Sequence, residues 1–386
     1  MATNVYGTGA NSTAGANTVT HFYDRAGVKA ANRVNVYGQF ADRKSMPKKM
    51  GKTFKISKFL HMYDRSINDA EFSANGYLSA RSVDEVNTAL TSAVLGEGAG
   101  AVNKKSLQKV TMETTLARYG EMIDYSDEVD LFSEDAIQVR YREELGELAN
   151  SRMEDLIQLD MLATSTVMYA GSATSLTEID EDSTVSYDLI RKAVRKLVRN
   201  RAQKNTQLVA GDVKVDTRSV AKAYYAVIGA NVKGDLETLT RGTVAANGTT
   251  EFVYIPVHKY ASAGTIAEGE VGAMHEVRFI ESESAVVYAG AGAAATTANV
   301  GDLAYTGTLD TTAKFDAFPI LFPTQGAFAT VGLKGQGKIK FNSKSPEQVE
   351  NANPYGTNGF FSYNFFYAGV ILEEEKLLKV LVSASA

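Results

Sequence analysis

SEDAIQVRYREELGELANSRMEDLIQLDMLATS, residues 133–165, is the stretch from which the fold can be read. Ile137, Tyr141, Leu145, Leu148, Leu156, Leu159 and Leu162 recur at three- and four-residue spacing, which places them on one stripe of an α-helix. Ser133 stands where an N-cap belongs, and Glu134 and Asp135 fall in the first turn, where the macrodipole favours negative charge. At 1.5 Å per residue the segment spans roughly 45–50 Å, more than the width of a small domain. A narrow apolar stripe on so long a rod implies an elongated subunit that packs beside copies of itself.

Upstream of the helix, residues 1–20 are small and polar and are expected to be disordered or to lie as an arm on a neighbour, and the leader before about Phe40 is expected to be ordered only by assembly. GKTFKISKFLHMY, residues 51–63, alternates like a strand, and LQKVTMETTLARYGEMIDYS, residues 107–126, does so over its first part. They enclose a soft tract with Gly96, Gly98 and Gly100. Met50–Met62 and Leu107–Tyr125 are therefore expected to be the two arms of a projecting hairpin. Downstream, SYDLIRKAVRKLVRNRAQK, residues 186–204, reads as a basic amphipathic helix whose apolar face is Leu189, Ile190, Ala193, Val194, Leu197 and Val198. Residues 208–345 read as β-rich with short helices, one of them RSVAKAYYAVIG at 218–229. The Ala/Gly-rich tract 289–310 reads as an exposed insertion, and the aromatic C-terminus as buried strands joined by the charged turn Glu373–Glu375.

With 386 residues, 44% hydrophobic and 22% charged, the chain can bury a sizeable core and is long enough for two or three domains. The absence of cysteine excludes disulfides, zinc–thiolate sites and thiol nucleophiles. The first residues have neither a basic nor an apolar signal region, and no run of 18 apolar residues occurs. Neither a signal peptide nor a transmembrane helix is expected, and the chain should fold in a cytosol.

The net charge of −5 conceals blocks. Residues 1–60 carry ten Lys/Arg against two Asp, a net +8. Residues 121–182 carry seventeen Asp/Glu against three Arg, a net −14. Residues 186–204 carry seven Lys/Arg against Asp188, a net +6. Such blocks are either solvated faces or complementary contacts between copies. In the second case Arg43, Lys44, Lys48 and Lys49 of one subunit meet Glu143, Glu144 and Glu147 of another. Arg191, Arg195 and Arg199 recur at i+4 on the basic helix and form either a solvated or subunit-facing surface or a contact to a nucleic-acid backbone. The helix lacks interleaved aromatic residues for stacking on bases.

Catalytic signatures are missing. His21, His61, His258 and His275 have no metal-ligand spacing. Ser106 and Lys109 match SxxK without its partner motifs. The glycines at 96–100 do not continue into a phosphate loop, and GLKGQGKIK (332–340) precedes no helix. Asp180, Asp182 and Thr184 begin like a calcium loop, but Val185 and Arg191 occupy the positions of the required Gly and Glu. No cofactor or metal is expected, and the chain is not expected to be an enzyme.

In this order the segments resemble a major capsid protein of a tailed bacteriophage, of the fold shared with herpesvirus capsids. More narrowly they resemble the family named after the major head protein of an N-four-like podovirus. The resemblance rests on HFYDRAGVKAANRVNVYGQFADRKSMPKKMGKTFKI (21–56), LARYGEMIDYSDEVDLF (116–132) and REELGELANSRMEDLIQLDML (142–162). It continues in EFVYIPVHKY (251–260), GEVGAMHEVRFIES (269–282) and NPYGTNGFFSYNFFYAGVILEEEKLL (353–378). The chain departs from the family in having no tryptophan in its aromatic C-terminal stretch and in the insertion at 289–300.

The resemblance implies an α+β tailed-phage capsid fold in four parts. These are an N-terminal arm (1–45), an extended β-hairpin loop (46–128), a peripheral domain (129–207 and 340–386) with the spine helix 133–165, and an axial domain (208–339). It implies self-assembly into hexamers and pentamers that close an icosahedral or elongated shell around double-stranded DNA. The implied location is the virion, after assembly in the host bacterial cytoplasm. Portal and decoration proteins are implied partners, a scaffold is expected to be separate or absent, and no membrane is involved. A compartment shell of the same fold that holds protein cargo, as in encapsulins, and a cytosolic enzyme with an unrecognised site are the alternatives.

Overall fold

The computed structural model describes residues 35–59, 82–98, 100, 103–104, 107, 109–132, 137–209, 217–241, 252–260, 266–294, 314–334, 339–349 and 353–385. Expectations about Ser133 as a cap, about residues 1–34 and about most of the 289–310 tract fall outside them.

The expected long helix is α3, Ile137–Leu162, about 39 Å at 1.5 Å per residue. It ends at Leu162, short of Ser165, because the chain beyond is drawn into other bonds. Lys379 Nζ donates to the Leu162 carbonyl at 2.8 Å, and Thr164 Oγ1 donates to the Leu377 carbonyl at 2.9 Å. Leu145, Ala149, Ile157, Met161 and Leu162 are buried. Leu159, which the spacing places on the stripe, is exposed. The buried line passes through 157 and 161 instead, because small and polar residues (Ala149, Gln158) also face the core.

That face packs on β14, Asn358–Ile371, the longest strand. Alternate residues Phe361, Tyr363, Phe365 and Tyr367 are buried in the same cluster as the helix face. Period two on the strand thus meets period 3.6 on the helix. On one side β14 pairs antiparallel with β4, Ala117–Ser126, over ten positions from Tyr367↔Ala117 to Asn358↔Ser126. On the other side it pairs with β13, Lys340–Lys344, and β12, Phe328–Leu333. The edge strand β1, Asp42–Met46, runs parallel to β12. The opposite face of this five-stranded sheet (Ala329, Val331, Ala368, Val370) carries Phe54, Ile56 and Met112 of a two-stranded hairpin, β2 (Thr53–Phe59) with β3 (Lys109–Thr115). The expected hairpin is therefore present, with a shorter second arm. Residues 117–125 read as hairpin but belong to β4, because their inward residues Ile123 and Tyr125 pack on the core around α3.

The second sheet has eight strands. β5 (Val167–Tyr169), β15 (Leu377–Val382), β11 (Phe318–Pro323), β7 (Thr217–Gly229), β10 (Val277–Ser282), β9 (Glu270–Met274) and β8 (Ile255–Pro256) follow in that order, and β6 (Asn205–Val209) pairs with β7. The segment 218–229, expected to be helical, is strand β7. Tyr225 and Val227 face the core of α3, while Tyr224, Ala226 and Ile228 face a second core. A strand buried on both faces reads as an unbroken apolar run, which periodicity alone does not separate from a helix. The basic helix is α4, Tyr187–Arg199, capped by Ser186 Oγ, which accepts from the Leu189 N–H at 3.2 Å. It buries Leu189, Ile190, Ala193, Val194 and Leu197 against β7, β11 and β15, but leaves Val198 exposed. Helix α5, Ala230–Thr238, follows β7 and covers the same sheet. The last strands are buried, as expected, although β14 and β15 lie in different sheets on either side of the turn Glu374–Lys376. Two helices were not anticipated: α1, Val83–Thr91, between the hairpin arms, and α2, Asp127–Phe132, between β4 and α3.

A carboxylate ties the start of the described chain to the middle of α3. Glu154, nearly fully buried, accepts from the backbone N–H groups of Val36, Tyr37 (2.5 Å) and Gly38 (3.3 Å). Gln158 Nε2 donates to Tyr37 Oη at 2.9 Å. Val36, Tyr37 and Phe40 are core residues, so the leader is anchored before Phe40. Burial pushes the Glu154 carboxyl up from its ordinary value, outweighing the donors from Tyr37, Val36 and Gly38. Lower on the helix, Asp160 accepts from Tyr367 Oη at 2.8 Å, and burial raises its pKa too.

Two predictions follow from these contacts. A raised folded pKa means that folding takes up a proton at Glu154, so its contribution to stability is largest below the usual carboxylate range and is lost as pH rises through the folded pKa. Glu154→Gln keeps an acceptor without the charge and should flatten the fall in stability from the ordinary carboxylate range upward. Denaturant midpoints measured across that range check this, and parallel profiles for the two proteins would refute it. The second concerns close packing. A Cβ at Gly369 would overlap Asp160 Oδ2 and lie 2.8 Å from its Cγ, whereas one at Gly146 on α3 meets nothing within 4 Å. Gly369→Ala should therefore destabilise by about 1–3 kcal/mol through overpacking, and Gly146→Ala should stabilise by about 0.5–1 kcal/mol. Thermal or chemical unfolding of the two variants reads both signs.

Candidate assembly surfaces

The hairpin is held at its base, and the described residues towards its far end are exposed. Thr114 Oγ1 donates to the Gly369 carbonyl at 2.9 Å, and the apolar face of the base is fixed on the five-stranded sheet. Towards the far end Phe59 is exposed, and none of the residues of α1 is buried. Ser82 Oγ caps α1 by accepting from the Glu85 N–H at 3.2 Å, and Asp84 and Glu85 lie in its first turn. A nine-residue helix is marginal in water without a partner for its apolar face, here Val83, Val86 and Leu90.

The basic residues singled out in the leader lie close together. Arg43 and Lys44 are exposed on edge strand β1, and Lys48 and Lys49 are exposed in the turn after it. Lys49 has a left-handed backbone, φ 67°. Glu143 and Glu144 are exposed on the N-terminal half of α3, and Glu147 is half-buried. Arg152 Nε bonds Glu121 Oε1 at 3.2 Å, so part of the acidic block is used within the subunit, between α3 and β4.

On α4, Arg191, Arg195 and Arg199 are exposed on the face away from the core. Arg191 pairs with Asp188 at 3.5 Å and lies over the Tyr187 ring at 5.5 Å. Lys196, read from the sequence as part of the same basic surface, turns inward. Its Nζ donates to the Val167 carbonyl at 3.2 Å, and burial lowers its pKa. The exposed basic surface of α4 is therefore Arg191, Lys192, Arg195 and Arg199.

The apolar surface at α2, just before α3, is not legible in the sequence. Leu131 and Phe132 of α2 and Tyr355 are all more than 70% exposed. Aromatic and aliphatic side chains in a short polar context look like loop residues until the fold leaves them exposed together. Among the described residues no group of three His, Asp or Glu could hold a metal ion, and no helix is long and apolar enough to cross a membrane. The Asp180 carboxylate accepts from Ser183 Oγ at 2.6 Å and so closes its own turn. His258 and His275 are exposed in separate turns.

No family model matches the sequence. Over 383 residues the chain is 30% identical to the major capsid protein of Pseudomonas phage KPP21, a match that covers 95% of this chain and 93% of that one. The fold is similar to those in the capsid of Ralstonia phage GP4 (TM-score 0.61, 12% identity, 98% of this chain and 99% of that) and the capsid of cyanophage Pam1 (0.57, 12%, 98% and 99%). It is also similar to the head structure of Helicobacter pylori bacteriophage KHP40 (0.56, 8%, all of both chains). An α+β core built on a long helix crossing a five-stranded sheet, with a two-stranded hairpin and kinship along nearly the whole sequence, leads to one conclusion: this chain belongs to the phage major capsid proteins, the subunits that form the capsid shell.

Proposed function

We propose that the chain assembles into hexamers and pentamers and closes an icosahedral or elongated head around double-stranded DNA, in the virion of a tailed phage. The observation that carries this reading is the match to the KPP21 major capsid protein over 95% of the chain. The role is structural and non-enzymatic. Assembly takes place in the host cytoplasm, with portal and, where used, scaffold and decoration proteins as partners. The division into arm (1–45), extended loop (46–128), peripheral domain (129–207 and 340–386) and axial domain (208–339) is part of the proposal. The two sheets support it, since α3 lies with the five-stranded sheet while β6 to β11 form most of the eight-stranded one. The hairpin and α1 reach a neighbouring subunit, which supplies the cover α1 lacks. Arg191, Arg195 and Arg199 face the packaged DNA. Sedimentation and negative-stain imaging of purified protein test the core of the proposal: closed particles support it, and a permanent monomer or small oligomer overturns it.

The charge blocks yield a sharper expectation. Arg43, Lys44, Lys48 and Lys49 are proposed to meet Glu143, Glu144 and Glu147 across subunits. Each exposed pair contributes under ~1 kcal/mol and is screened over about 8 Å at physiological salt. A shell repeats the contact in every subunit, so a small term decides whether it forms. Reversing the four basic residues to Glu should weaken assembly at low salt, and reversing the three Glu to Lys in the same chain should partly restore it. Light scattering during assembly measures both effects, and normal assembly by the first variant would show the blocks to be solvated faces.

A further inference from the structure

Strand β4 separates two exposed surfaces of opposite character. At its Ala117 end the Leu116 N–H donates to the Lys52 carbonyl at 2.9 Å, and the Lys334 N–H donates to the Met46 carbonyl at 2.8 Å. These bonds hold both ends of the turn that carries Lys48, Lys49 and Lys52, with Lys334 beside its start, all exposed, and Met50 in that turn is 71% exposed. Residues 47–52 contain no carboxylate. At the Ser126 end the Asp127 N–H donates to the Thr357 carbonyl at 2.8 Å, which sets α2 beside Thr357, and Gly356 lies against Pro346 and Val349. Leu131, Phe132, Val349 and Tyr355 are 66–90% exposed there. Asp127 and Glu128 open α2, Glu347 lies by Gly356, and Glu143 and Glu144 are in the N-terminal turns of α3. Of the nearby cations, Arg142 is occupied over the Phe361 ring at 5.0 Å.

We propose that the Met50 knob, with its ring of lysines, inserts into the Leu131–Phe132–Tyr355 patch and its acidic rim on a second copy. The two surfaces are nine residue steps apart along β4, about 30 Å at 3.3 Å per residue, so one copy cannot satisfy itself. Neither patch pairs with its own kind, because an isologous contact would set lysines against lysines or carboxylates against carboxylates. The contact is therefore head-to-tail, the type that generates a ring when its rotation closes. The proposal rests on the shell reading above and adds the residues of one inter-subunit contact to it.

The natural absence of cysteine makes the test clean. Met50→Cys and Phe132→Cys chains, differently tagged, are co-assembled and mildly oxidised. A disulfide-linked dimer carrying both tags is expected in sedimenting particles and not in unassembled subunits. Met50→Cys paired with Val198→Cys, an exposed site on α4, should give none. Wild-type particles treated with a carbodiimide offer a second measurement that needs no substitution. Peptides joining a lysine of 48–52 to a carboxylate of 127–128 or 347 are expected. If particles form but neither link appears while other lysine–carboxylate links do, the head-to-tail contact is wrong and the shell reading stands. If the lysines are shielded instead by nucleic acid, so that nuclease treatment alone changes their reactivity, the contact is likewise overturned. If no particle forms, both readings fall.

Discussion

The packing of α3 on β14 is the contact on which the rest of the structure depends. Phe361, Tyr363, Phe365 and Tyr367 present a continuous aromatic face, with the rings of Tyr363 and Phe365 stacked at 6.1 Å. Burying side chains of this size stabilises by about 1.5–3 kcal/mol each, so this one interface outweighs any surface pairing in the molecule. It also joins the two sheets. The cluster under α3 includes Tyr225, Val227 and Leu321 from the eight-stranded sheet as well as the β14 aromatics. The helix is therefore an axle between two sheets, held at its C-terminal end by Lys379 and Thr164. At Gly369 the fit allows no Cβ. The Gly369 N–H serves Asp160 on one side, and its carbonyl serves Thr114 of the hairpin on the other.

This arrangement explains which parts of the sequence were legible. The helices α3 and α4 could be read because each has one wet face and one dry face, and their periodicity survives burial. Even so, Leu159 and Val198 were misplaced, since the dry stripe is narrower than the apolar residues available to fill it. Strand β7 was read as a helix because both of its faces are dry, which erases the alternation that marks a strand. The boundary between the hairpin and β4 was invisible for a different reason. Residues 107–126 read as one strand-like stretch, and what divides them at Leu116 is a change of partner from β2 to β14, a long-range fact. For the candidate surfaces, the charge blocks could be counted from the sequence. The apolar patch at Leu131 and Phe132 could not, because exposure is a property of the fold.

The buried polar groups follow one logic. Glu154 and Asp160 lie on the core side of α3 because each meets backbone or hydroxyl donors that an apolar residue would leave unsatisfied. An unpartnered buried N–H costs more than a well-paired one gains. The three amides at Val36–Gly38 open a short 3-10 turn and point the same way, so a single carboxylate satisfies them together. Neither carboxylate stands out among the seventeen acidic residues of its block, which is why the sequence does not single them out.

One consequence concerns how the leader communicates with the fold. The described chain begins at Asn35, one residue before the amides held by Glu154, and Gln39 Nε2 also donates to the Glu268 carbonyl at 3.3 Å. The segment 36–40 is thus bonded to the spine helix on one side and to the turn before β9 on the other. A displacement of the leader is resisted first by this segment, and through it by both sheets, before any surface strand is disturbed. An arm fixed at an edge strand could peel away one hydrogen bond at a time. An arm fixed at the junction of the two sheets can move only if the Glu154 contacts and the burial of Val36, Tyr37 and Phe40 are given up together. Residues 36–40 therefore behave as part of the core, although the small and basic residues around them in the sequence read as part of a tail.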